Sequence, residues 1–398
     1  MFKKYISCFC LFALLILSCK KNTAKKEDDP VDEIVIPPIE VLKAGMVDQK
    51  ATTETVNLFL NLFKQSRTKV FVGQQDATKR GFGWANEYGS TFNANRSDIY
   101  SVTGKFPTVI GSDFMHITSP ESNVWFDYEE SSARLLAIDA YERGFINTFA
   151  WHYHNPVTLG SFYWESSPTK AVSEILPGGS KHDAFKADLN TIADFAKSLI
   201  AKDGKLAPFI FRPFHEFDGD WFWWGKSHCT IDEYKELFRF TVTYLRDSLE
   251  VHNILYAWSP DRNFNTETQL LERFPGNEYV DLVGMDNYYD LSADGNINLA
   301  VFRLNLVSEY AEKNNKLAAF TETGLLNITQ ADWFTKKLLT VINTSSAKIA
   351  YVLFWANRAD SYWTPPVGHA SANDFIRFCN EPKFILGDKL PSLYHTTP

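Results

Sequence analysis

Short runs of apolar, β-branched and aromatic residues recur along the chain, at 70–76, 107–114, 145–153, 208–216, 253–261, 281–289, 317–324 and 349–358. Longer segments with helical spacing lie between them. In 183–200, Phe185, Leu189, Ile192, Ala193, Ala196 and Leu199 fall on one helical face. Tyr234, Leu237, Phe238, Val242 and Leu245 do the same in 231–249, and 298–315 and 330–343 behave alike. Strands alternating with helices predict an α/β fold with a parallel sheet. Eight such units predict a (β/α)8 TIM barrel forming a single catalytic domain. An open doubly wound sheet is the competing arrangement. It calls for a glycine-rich phosphate turn after an early strand, and the sequence shows none there.

The strand ends carry the chemistry. Nearly every run finishes in polar or aromatic residues: Gln74-Gln75-Asp76, Asp113, Trp151-His152, His215-Glu216, Trp258 with Asp261, Asp286 with Tyr288, Glu322, and Trp355. One or two such residues would serve as caps for the following helix. A barrel brings all eight ends to one face, where active sites are built. The densest segment runs from Arg212-Pro213 through His215-Glu216 and Gly219 to Trp221, Trp223, Trp224 and Gly225. A glutamate leaving a strand beside flat aromatic surfaces suits carbohydrate. Sugars stack their CH faces on Trp, and a glycosidic oxygen must be protonated before it can leave.

Composition narrows the partners. The chain has 398 residues, 45% hydrophobic and 22% charged, enough for one large globular domain. Aromatics reach 15%, and the clustering of tryptophans in a few loops predicts stacking platforms beside a large aromatic core. A net charge of −8 argues against a nucleic-acid partner, which needs a basic face.

Glu216 ends the fourth run and Glu322 the seventh, on opposite sides of a barrel mouth. Two such carboxylates can bracket one bond. A separation of about 5–5.5 Å gives the retaining mechanism, and a wider gap admits an inverting water. Here the chain resembles glycoside hydrolase family 26, over roughly residues 50–395. The resemblance rests on the Arg212 to Gly225 segment, supported by Trp151-His152, Asp286-x-Tyr288 and Thr321-Glu322-x-Gly324. It implies retaining hydrolysis of β-1,4-mannan, glucomannan or galactomannan, with Glu216 as acid/base and Glu322 as nucleophile. An acid must start protonated, so Phe217 and Trp221 are expected to desolvate Glu216. Tyr288 and Arg212 are candidate donors to Glu322.

The resemblance also implies a substrate shell of His152, His215, Trp221, Asp286, Tyr288 and Trp355. His215, beside the acid/base, is expected near the sugar 2-hydroxyl, whose axial setting marks mannose. His152 and His154 share a strand face, as an H-x-H metal pair would. A third ligand is missing and the reaction requires neither metal nor cofactor, so His152 is read as a sugar contact and His154 as structural. Trp84 and Trp164 are candidates for outer stacking. The chain departs from the family pattern at Gln74, at Phe217-Asp218, and at Ala356, where the family often has arginine; Arg358 lies nearby.

The first 18 residues read as a lipoprotein signal peptide: Lys3 and Lys4, an apolar run, and Ile16-Leu17-Ser18-Cys19. A lipidated Cys19 implies membrane attachment in a bacterial envelope. Residues 19–45, charged and proline-bearing, read as a tether, and 46–398 as the catalytic domain. Only Cys229 and Cys379 lie in the body, and spacing leaves their pairing open. A monomer acting on mannan or manno-oligosaccharides is expected. The alternatives are β-1,3-xylan or mixed-linkage β-glucan as substrate, release of mannobiose from chain ends, and a non-catalytic glycan-binding lipoprotein. Insertions at 115–130 and 155–180 are long enough to wall a cleft.

Overall fold

The computed structural model describes residues 36–85, 93–118 and 130–396. The leader, most of the tether and residues 119–129 of the first insertion lie outside the described residues.

The barrel strands are β1 (Val70–Gln75), β2 (Val109–Asp113), β3 (Ile146–Trp151), β4 (Phe209–Pro213), β5 (Ile254–Trp258), β6 (Leu282–Asp286), β7 (Leu317–Thr323) and β8 (Tyr351–Phe354). Each lies inside one of the runs predicted from sequence. All pair in parallel with their neighbours in chain order. The sheet closes where β8 returns to β1, with Phe71 opposite Tyr351 and Gln74 opposite Phe354. Every residue of the eight strands is buried, because packed side chains fill the inside and helices cover the outside. This two-sided burial explains why the runs read as nearly continuous apolar stretches.

The helices follow the predicted stripes. His182–Ser198 buries Phe185, Leu189, Ile192, Ala193 and Ala196. Ile231–Thr243 starts at a capping box between Thr230 and Glu233, then widens into a π-helical turn at Tyr244–Ser248. The 330–343 segment differs from a plain α-helix. It opens as a π turn at Phe334–Leu338 and becomes α only at Leu339–Thr344.

The tether ends earlier than its composition suggested. Ile39–Ala44 forms a helix with Leu42 buried in the core. The Gly45 carbonyl just after it accepts from Lys316 Nζ at 2.6 Å, and Val47 N donates to buried Asp281 at 2.8 Å. Six residues are too short for Ile39, Val41 and Leu42 to show a helical stripe, and the stability of so short a helix comes from docking. The body thiols, Cys229 and Cys379, are both buried and free.

If this helix belongs to the domain, Leu42→Ala lowers unfolding stability by about 2–4 kcal/mol. Urea denaturation checks it; an unchanged midpoint would return 39–44 to the tether.

Candidate active site

At the end of β4 the backbone takes an unusual path. Phe214 and Glu216 both have positive φ, at 51° and 52°. For side chains this large such backbone costs on the order of 1–3 kcal/mol per residue and persists only where the surroundings hold it. Here they do. The Phe214 carbonyl accepts from Tyr234 Oη at 2.9 Å, and the His215 carbonyl from Trp224 Nε1 at 2.8 Å. The Glu216 amide donates to the Ser259 carbonyl beyond β5 at 2.9 Å. The turn that follows folds Trp221 back over Gly219, where a Cβ would meet the indole at 2.2 Å. Trp221 Nε1 thereby donates to Glu216 Oε2 at 2.7 Å.

Glu322 is aimed by a different device. The pairing of β6 with β7 slips by one residue between Met285 and Asp286, so that Asp286 lies opposite Glu322. Such a bulge re-aims side chains at a barrel rim. The skipped residue, Thr321, donates its hydroxyl to Asp286 Oδ1 at 2.6 Å. Arg212, buried on β4, donates to Asp286 Oδ2 at 2.6 Å, to Ser259 Oγ at 3.2 Å, and to Glu322 Oε1. Tyr288 Oη donates to Glu322 Oε2 at 2.8 Å. The donors expected for Glu322 are thus the ones that reach it.

Glu216 and Glu322 line one cavity of about 730 Å³ at the C-terminal mouth of the barrel. Of the predicted shell, His152, His215, Trp221, Tyr288 and Trp355 line it as well. Asp286 does not; it lies beneath, holding Arg212. Glu216 is half-buried. Desolvation, with the negative charges of Asp286, Glu322 and Asp261, holds its carboxyl well above the usual range, against the pull of the Trp221 indole. Phe217 does not line the cavity. Its ring packs away from the cavity, 4.5 Å from Tyr234 and 4.8 Å from Trp258. Asp218 accepts from the Asp261 and Asn263 amides at 2.6 and 2.7 Å. The Phe217-Asp218 departure therefore serves the loop after β5, whose Asp261 and Arg262 line the cavity, and reaches the wall only through that loop.

The two histidines meet edge to face. His152 Nδ1 meets Asp113 Oδ2 at 2.5 Å, and its amide donates to Asp113 Oδ1 at 3.1 Å. Burial alone would raise the Asp113 carboxyl, but His152 holds it below the usual range. His215 lies edge-on to His152, 4.6 Å between ring centres. Burial, then the positive charge of Arg212, push His215 well below the ordinary imidazole value, so its ring is neutral. His154 leaves the site: its Nδ1 bonds the Gly160 carbonyl at 2.7 Å and ties down the 155–180 loop. Ligand atoms of His215, Asp286 and Glu322 all lie within 4.8 Å of one another. Arg212 donates to both of those carboxylates, so its guanidinium already supplies the positive charge that a cation would bring.

Among the described residues, five tryptophans are fully buried in the core: Trp151, Trp223, Trp224, Trp258 and Trp333. Trp164 stacks on His228 at 3.6 Å. Trp84 gives its Nε1 to Asp98 at 2.7 Å. Neither Trp164 nor Trp84 lines the cavity. Tyr163, Phe222, Arg262, Tyr289 and Trp363 do line it and were not singled out from sequence. Tyr163 comes from the 155–180 insertion, whose wall Asn155 holds through the Thr169 carbonyl at 2.8 Å and the Val157 amide at 3.0 Å. Gln74 is buried and donates to Thr364 Oγ1 at 2.9 Å and to the Trp355 carbonyl at 3.3 Å, fixing the end of β8. Ala356 is buried, and Arg358 is exposed and lies outside the cavity lining.

A closed parallel barrel with two glutamates and aromatic rings around one cleft at its C-terminal mouth defines a barrel glycoside hydrolase. The glycosyl hydrolase family 26 profile matches residues 47–374, and the chain belongs to that family. A mannan endo-1,4-beta-mannosidase of Bifidobacterium adolescentis is 35% identical over 377 residues, covering 88% of this chain and 36% of its own length. The chain thus spans about a third of that relative. One from Bacillus subtilis is 27% identical, covering 73% of this chain and 76% of its own. Among solved structures, GH26C of Muricauda sp. aligns with a TM-score of 0.85 and 41% identity, covering 92% of this chain and 99% of its own. A GH26 beta-mannanase of Bacteroides ovatus gives 0.80 and 34%, covering 87% and 98%.

Removing Arg212 strands two buried carboxylates. Arg212→Met is expected to lower stability at neutral pH by about 3–5 kcal/mol. The deficit shrinks as acid neutralises Asp286, whose carboxyl is held well above the usual range by burial. Urea midpoints at pH 7 and pH 5 for variant and wild type check both the size and the trend.

Proposed function

We propose that this protein is a β-1,4-mannanase that cleaves with retention, Glu216 serving as acid/base and Glu322 as nucleophile. The observation that carries this reading is the pair of glutamates facing one aromatic cleft from β4 and β7, in opposite electrostatic settings. Glu216 is held in its protonated form and can protonate the glycosidic oxygen. Glu322 accepts hydrogen bonds at both oxygens, which orients it to attack the anomeric carbon. Once the leaving chain departs, Glu216 in its basic form draws a proton from water, which releases the sugar from Glu322. Trp221 lies against the leaving-group side by its bond to Glu216, Trp355 floors the site, and His152, His215 and Tyr288 surround the sugar hydroxyls. The mannan specificity is supported by the relatives named above.

Glu322→Ala is expected to abolish reducing-sugar release from mannan. Glu216→Ala lowers it by about 10²–10⁴-fold yet spares substrates with activated leaving groups, which need no acid. Near-normal turnover of mannan by either variant would overturn the roles. Xylose or glucose oligomers in place of mannose oligomers would overturn the substrate, and mannan binding without any release would make the chain a glycan-binding module.

We also propose attachment to the bacterial envelope through a lipid on Cys19. Cys19→Ser is expected to move the protein from the membrane to the soluble fraction. Equal partition of variant and wild type would remove the anchor.

A further inference from the structure

We propose that Trp363 is the sugar platform of the second subsite from the cleavage point on the glycone side; this rests on the mannanase reading. With Glu216 at the glycosidic oxygen and Trp221 beside it, the leaving chain lies toward the end of β4. The glycone then extends toward the opposite rim, built by the ends of β7, β8 and β1. Trp363 lines the cavity on that rim, with Gly324, Leu325 and Leu326 around it.

Several independent features place this ring. Gly324, two residues beyond Glu322, has φ of 155°, and a Cβ there would sit 2.3 Å from Trp363 Cδ1. Only a bare backbone lets the indole approach so closely. The Trp363 amide donates to Asn357 Oδ1 at 2.8 Å, and the next amide, Thr364, donates to the same oxygen at 3.1 Å. Asn357 is fully buried and gives its own amide hydrogens to Asp98 Oδ2 at 2.8 Å and to the Thr364 carbonyl at 2.9 Å. Asp98 also accepts from Trp84 Nε1 at 2.7 Å and from the Phe82 amide at 2.6 Å. Phe82 meets Tyr362 edge-on at 5.5 Å.

The loop after β8 is therefore locked to the loop after β1 through buried polar groups. Gln74 joins the same lock to the Trp355 backbone. The two tryptophans on this rim are set by one network. Around Trp363 the lining is apolar, and Arg358 on its own loop does not enter it. Such a surface takes the CH face of a neutral sugar and offers nothing to a charged one. Rigid placement limits the ordering cost when the sugar stacks.

The test compares nitrophenyl β-mannobioside with nitrophenyl β-mannoside, read as the ratio of their kcat/KM values. The wild type favours the mannobioside. Trp363→Ala lowers that ratio by about tenfold, the size expected of one aromatic stacking contact. Trp363→Phe keeps most of the ratio. Gly324→Ala lowers it without touching Trp363, because the added Cβ displaces the ring. Thermal unfolding of each variant confirms that it is folded. An unchanged ratio for Trp363→Ala, or an equal loss on both glycosides, overturns the platform and leaves the mannanase reading standing. A wild type that releases nitrophenol from neither glycoside and no oligomers from mannan overturns the mannanase reading, and the platform with it.

Discussion

The buried guanidinium of Arg212 is the contact on which the rest of the site depends. It rises from β4 and binds Asp286 on β6, Glu322 on β7 and Ser259 just after β5. Four consecutive strands are tied by one side chain beneath the cavity floor. A buried ion pair of this kind stabilises little by itself, since two desolvated carboxylates and a guanidinium each lose hydration. Its value lies in geometry. The planar fork of arginine sets two carboxylates at defined positions, which lysine would not do. It also fixes where negative charge sits near Glu216. Those fixed charges, added to desolvation, hold Glu216 protonated.

Both glutamates are then aimed by departures from ideal barrel geometry. Glu216 sits in a left-handed turn pinned at three successive residues, and Glu322 sits beside a bulge filled by Thr321. Each departure costs local stability, and each is compensated by hydrogen bonds from the neighbouring elements. The surrounding tryptophans divide their labour accordingly. Trp224 and Trp223 brace the turn from the core, through the carbonyls of His215 and Tyr153. Trp221 alone of that trio reaches the cleft.

The far rim of the cleft obeys the same logic with two amides, a hydroxyl and one carboxylate. Gln74, Asp98, Asn357 and Thr364 are all buried, and each bonds backbone or side chains of a different loop. Buried amides and carboxylates with satisfied partners set loop positions more tightly than apolar contacts do, because an unmade bond is costly. A position where the chain departs from its family pattern, Gln74, is thus a structural tie. The apolar character of that rim comes from Trp363 and Gly324.

The sequence by itself determined the barrel, since two-sided burial writes each strand as an apolar run and each helix as a one-sided stripe. It also determined both glutamates, five of the six shell residues that line the cleft, and the donors to Glu322, because strand ends of a closed parallel barrel converge whatever the loops do. It told Trp221 from Trp223 and Trp224 only through resemblance to the family, and it did not tell Phe217 from a wall residue, since the positive-φ turn that reverses their directions has no glycine at Phe214 or Glu216 to announce it. Asp286, expected as a sugar contact, is buried outside the cavity lining and bonded to Arg212 and Thr321, a depth that only the packing of β6 beside Arg212 decides. Trp363 and Tyr163 lie in loops with no periodicity, and their places depend on Gly324, Asn357 and Asn155 far away in sequence. Contacts of that kind exist only once the chain has closed on itself.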